Sequence, residues 1–162
     1  NISMKTLMLK WWLFVCSCGV AISVVNYLGF FEILLKKDPT RLSFLILLIF
    51  LLTTVWIGQR IYNIIKEQNK PKKDLHQDFD IGWFIAESCL VLGLIGTVAG
   101  FIIMLGTAFI NIDVTSINSM QKALSQMSIG MSAALYTTLM GLLSSLGIKL
   151  QLVNIGRTID KL

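Results

Sequence analysis

The sequence predicts an all-α, polytopic membrane protein built on four transmembrane helices. Three observations carry that prediction. Charged residues are absent from several windows of about 20 residues, the length that crosses a bilayer core of about 30 Å. Of the 162 residues, 55% are hydrophobic and 14% charged, and the mean hydropathy is +0.75, whereas soluble domains carry about a quarter charged residues. The basic residues gather at the flanks of the apolar runs, so the net charge of +5 reads as membrane orientation and contact with lipid headgroups, not nucleic-acid binding. Four spans leave no room for a soluble domain of useful size.

Helix 1 is expected over residues 11–35. Trp11 and Trp12 stand where aromatic residues anchor to an interface, with Lys5 and Lys10 just outside. Cys16, Cys18 and Cys89 fall inside spans and read as small packing residues, not a disulfide or metal site. Val15-Cys16-Ser17-Cys18 loosely resembles a lipoprotein cleavage box, but the apolar run continues well past it, which favours a retained helix. Asn26 and Glu32 are the polar members of this helix, and Glu32 can reach headgroups or pair with Lys36. Pro39 ends any helix in the short turn 36–41.

Helix 2, residues 42–65, is apolar all round and has no glycine until Gly58, which suits a lipid-facing position. Trp56 and Tyr62 mark its interfacial end. Residues 59–80 are the sizeable polar stretch, split by Pro71 into two helical extensions joined by a loop. His76, the sole histidine, lies there without a histidine or cysteine nearby, so it reads as solvated and not as a metal ligand or catalytic group. Helix 3 is expected over 81–110, longer than the bilayer core, so it should tilt or project. Residues 111–126 form a polar connection with room for the first turns of helix 4, expected over 127–155.

Orientation follows from the basic residues. With the N-terminus inside, Lys5, Lys10, Arg60, Lys66, Lys70, Lys72, Lys73, Lys149, Arg157 and Lys161 lie in the cytoplasm, against Lys36, Lys37, Arg41 and Lys122 outside. The positive-inside rule therefore puts both termini and the 59–80 loop in the cytoplasm. The chain divides into peripheral helices 1 and 2 (1–58), a cytoplasmic loop (59–80) and helices 3 and 4 (81–162).

Helices 3 and 4 carry the informative pattern. Gly93, Thr97, Gly100 and Thr107 recur at spacings that share one helix face, and Gly96 with Gly100 forms a Gly-x-x-x-Gly pair. Gly130, Ala134, Thr138, Gly141 and Ser145 make a matching stripe on helix 4. Such stripes can line a pore, but ordinary membrane packing also needs small residues. The two faces can meet each other, meet neighbouring subunits or surround a slender guest helix. A threonine can also bond back to its own helix. No acidic residue lies at mid-depth in any span, so this chain alone lacks the carboxylate a proton carrier normally uses. Glu87, about 15 Å before Thr97 along the helix, stands at the cytoplasmic mouth, either to receive protons or to pair with an interfacial base.

Gly93-Leu94-Ile95-Gly96-Thr97-Val98-Ala99-Gly100 and Ala134-Leu135-Tyr136-Thr137-Thr138-Leu139-Met140-Gly141-Leu142 resemble the paired signature of the MotA/TolQ/ExbB proton-channel family. The resemblance covers residues 81–155, and the four-helix layout is similar to that of MotA. It implies a homopentamer in a bacterial inner membrane whose third and fourth helices surround two copies of a single-span MotB/ExbD/TolR-like partner. That partner supplies the aspartate that binds the proton, and Thr97 and Thr138, with Thr137 beside them, match the family's pore threonines. Proton-motive force would then drive rotation or other mechanical work, without cofactor, metal or enzymatic chemistry. The chain departs from the family at Leu90 and Gly147, where prolines are common, and at Ala133, where TolQ and ExbB carry a glutamate. The 59–80 loop is far smaller than a flagellar stator's cytoplasmic domain, which points away from flagellar torque and leaves another envelope or defence machine open.

Rival readings are a non-conducting oligomeric scaffold packed through the stripes and a small-solute transporter. The transporter lacks the broken helices and internal repeats usual in that class. An intramembrane hydrolase lacks a Ser-His or paired-Asp constellation in the spans.

Overall fold

Among the described residues, four apolar runs give four long helices, because a helix satisfies its own backbone polar groups where water is absent. They are α1 (Ile2–Tyr27), α2 (Leu42–Lys66), α3 (Lys72–Ala108) and α4 (Ile117–Ile159), in a computed structural model that describes residues 2–29, 32, 41–66, 72–110 and 116–159. All four are long and apolar enough to cross a membrane, over Lys5–Tyr27, Leu42–Ile64, Gln77–Ala108 and Ile117–Arg157.

The helix ends have local causes, and some depart from the sequence expectation. α1 stops at Tyr27, not residue 35. Gly29 has φ +73° and its N–H donates to the Asn26 carbonyl at 3.0 Å, a glycine stop that requires the left-handed region. Glu32 is exposed, while its expected partner Lys36 and the turn through Pro39 lie outside the described residues. α3 begins at Lys72, ahead of the span expected from residue 81, so the two helical extensions expected on either side of Pro71 are continuous with α2 and α3. His76 falls within α3, with its side chain outside the described set. α4 begins at Ile117, ahead of residue 127, where the Ser116 hydroxyl accepts the Ser119 N–H at 3.2 Å, a serine cap on an otherwise orphaned donor.

α3 and α4 share the largest helix–helix interface, α2 packs on both, and α1 lies against α2 and α4. At the end where α2 leads toward α3, all four helices meet: Leu7 of α1, Ile57 and Ile61 of α2, Ala86 of α3, and Ile148, Leu152 and Ile155 of α4. We call this the loop end. Its rim carries an Arg60–Asp78 ion pair at 3.1 Å, Arg60 over the Trp56 ring and Lys149 over the Trp83 ring.

One expectation for α2 is corrected. It is not lipid-facing all round: Ser43, Ile46, Ile57 and Ile61 are buried while Leu48, Leu52 and Val55 are exposed. A helix apolar on every side gives the sequence no contrast with which to tell these faces apart. α2 begins beside Gly96 and Thr137, so the rest of α3 and the first half of α4 run on past it.

Candidate functional site

α3 and α4 run antiparallel in a register that holds over much of their length. Phe79 faces Gly156, Leu152 faces Gly82, Gly93 faces Gly141, Gly100 faces Ala134 and Met104 faces Gly130. Toward both ends each contact sets a glycine against a large side chain. In the middle, small residues face small residues, and the helices come closest there. A Cβ on Gly141 would sit 2.8 Å from the Cys89 carbonyl oxygen and 2.9 Å from the Gly93 Cα. A Cβ on Gly100 would sit 3.0 Å from that of Ala134. The seam is thus a backbone-to-backbone contact that admits no added carbon. Ser145 is buried further along α4.

The two flanks of the seam differ. On the α2 side, Thr137 is 1% exposed, packs its methyl against Gly96 and accepts a 3.4 Å hydrogen bond from the Ser43 hydroxyl. Its own hydroxyl donates to the Ala133 carbonyl at 3.2 Å. On the opposite flank Thr97 and Thr138 are half-buried and their hydroxyls meet each other across the seam. Consecutive helical residues lie about 100° apart, which sends Thr137 and Thr138 to different sides.

Four oxygens converge at the Thr97–Thr138 pair. The Thr97 hydroxyl lies 3.0 Å from the Gly93 carbonyl and 3.4 Å from that of Ala134. Thr138 lies 3.4 Å from the same two carbonyls. The two carbonyls already accept helical N–H groups, and the two hydroxyls bring one proton but two lone pairs each, so acceptor capacity remains unused and the cluster is a net acceptor. Its natural complement is an O–H donor: a water, or a protonated carboxyl.

Among the other candidates, Thr107 is exposed and its hydroxyl donates within its own helix, toward the Ile103 carbonyl at 3.0 Å. Glu87 is exposed on α3, on the loop-end side of Thr97, and forms no ion pair among the described residues. The sequence reading passed over Ser43 and Gln151, both buried. Thr137, Ser144 and Gln151 recur every seventh residue and are all buried, a polar row on the inward side of α4 that this spacing would have revealed. The small stripes, left open in the sequence between several partners, meet each other within one chain.

Residues 58–157, more than half of the chain, match the model of the MotA/TolQ/ExbB proton channel family. No curated protein and no solved structure matches the chain.

Proposed function

We propose that this chain, which belongs to the MotA/TolQ/ExbB proton channel family, is the stator-like subunit of an ion-driven membrane motor. In this reading five copies assemble in a bacterial inner membrane with both termini in the cytoplasm. They surround two copies of a single-span MotB/ExbD/TolR-like partner that carries a buried aspartate. Proton-motive force then becomes rotation or another form of mechanical work.

The observation that carries the reading is the acceptor-rich Thr97–Thr138 pair on the open flank of the α3–α4 seam. It lies at a depth where the chain has no carboxylate between Glu87 and Asp113. A protonated aspartate brought by a partner would donate to that cluster, and a hydroxyl can accept and donate in turn without fixed charge. Glu87, nearer the loop end, is the candidate to take protons leaving toward the cytoplasm. Thr137, occupied by Ser43 and Gly96, would act in this scheme by fixing the backbone of Thr138.

A second reading, the non-conducting scaffold, draws support from Gly93 and Gly141 closing on each other within one chain. One experiment separates the two. Thr138→Val removes the hydroxyl at nearly constant volume, so proton flux in vesicles carrying the chain with its MotB/ExbD/TolR-like partner should be lost. Subunit stoichiometry by native mass spectrometry should stay at five to two. Flux equal to wild type in Thr138→Val would remove the threonine pair from the path, and a complex without flux in the wild type would favour the scaffold.

A further inference from the structure

The loop end holds a polar arrangement that the channel reading does not use. Two buried side-chain atoms have no hydrogen-bond partner among the described residues: Trp11 Nε1 on α1 and Gln151 Oε1 on α4. One is a donor with no accepting capacity and the other is an acceptor. Both residues line the same small cavity, about 10 Å³, whose wall also includes Lys10, Phe14, Ile61 and Asn154. That volume is about what one water requires, and the site offers the polar partners that keep a buried water in place.

The neighbouring bonds fix which end of the Gln151 amide faces the cavity. The Thr54 hydroxyl spends its proton on the Phe50 carbonyl at 2.9 Å. Its oxygen is therefore left to accept, and Gln151 Nε2 donates to it at 3.2 Å. The amide nitrogen is thereby held toward α2, and Oε1 is the atom left over for α1.

We propose that one water molecule sits in this cavity, accepting from the Trp11 indole N–H and donating to Gln151 Oε1. It completes a chain of hydrogen bonds from the Phe50 carbonyl through Thr54, Gln151 and the water to Trp11, which ties α1 to α2 and α4. A Cβ on Gly58 would overlap the Trp11 ring, so the glycine admits the indole to the bundle and the water fixes its polar edge.

The test uses the full chain in lipid nanodiscs with ¹⁵N-labelled tryptophan, where Trp11→Phe identifies the Trp11 indole signal among those of the four tryptophans. Magnetisation should pass from water to the Trp11 indole proton although that proton exchanges slowly in D₂O, and the transfer should be lost in Gln151→Met. Absence of transfer in the wild type, or transfer undiminished in Gln151→Met, overturns the proposal. Thermal melting supplies the second measurement. If the water bridges the two groups, Trp11→Phe/Gln151→Met lowers the melting temperature by less than the sum of the single changes, because each single variant strands the other group. Strictly additive losses overturn the bridge even where a single variant folds poorly.

Discussion

At the loop end four helices meet, through Leu7 of α1, Ile57 and Ile61 of α2, Ala86 of α3, and Ile148 and Leu152 of α4. Along the middle of the α3–α4 seam, by contrast, two helices meet at Gly93, Gly100 and Gly141 with hardly a side chain between them. Lipid tails are as apolar as isoleucine, so neither region gains much by hiding from the bilayer. Both rest on contact quality. The loop end obtains that contact from interdigitated side chains, which can rearrange when one changes volume. The seam obtains it from backbone, which cannot. The threonine pair sits beside the part with no adjustable piece, so the separation of its hydroxyls is set by the helices themselves.

The largest effect that would break this contrast is Gly141→Val. Its nearest neighbours are the Cys89 carbonyl and the Gly93 Cα, so the added carbons can be accommodated only by separating the helices. The cost should exceed the roughly 1–3 kcal/mol of ordinary overpacking, read as loss of cooperative melting in detergent by circular dichroism. A variant that melts like the wild type would mean that the seam opens freely and does not fix the threonine hydroxyls.

Ile61→Ala addresses the other region. Ile61 is almost fully buried, and its truncation should cost about 2–5 kcal/mol through lost contacts and a residual cavity. The difference from the seam should appear in function. Flux per folded complex should stay at the wild-type level, because the Thr97–Thr138 pair is remote from that core. A fall in flux matching the fall in stability would mean that the loop end and the seam act as one unit.

These contrasts were partly legible in the sequence. Hydropathy gave four spans, and helical spacing placed Gly93, Thr97 and Gly100 on one face, since both depend only on periodicity and residue size. The end of α1 was not legible. The apolar run continues from Phe30 through Leu35, and hydrophobicity reports affinity for lipid and not the backbone torsion, which is left-handed at Gly29. The buried side of α2 was hidden because every side of it is apolar. A stripe of small residues announces close approach but carries no label for its partner, so the meeting of the two stripes inside one chain needed coordinates. Gln151 carries no signal of its partners in the sequence, because the groups around it, Thr54 and Trp11, are distant in the chain.

The smallest effect is also the sharpest test, because it has the opposite sign. Gly106 lies on α3 past Gly100, and a Cβ built there meets nothing within 4 Å. By composition it is one more glycine of the same helix, yet no close approach requires it. Gly106→Ala should therefore stabilise the isolated chain by up to about 1 kcal/mol, since alanine gives up less backbone entropy in a helix. Melting of the monomer in detergent would register this as a small upward shift. The same variant reports on neighbours in the assembly. If a second copy packs its backbone against Gly106, the methyl group raises monomer stability while lowering the fraction of assembled complex in native mass spectra. A monomer destabilised by this change would contradict the open surroundings of Gly106 and extend the close-packed seam to the end of α3.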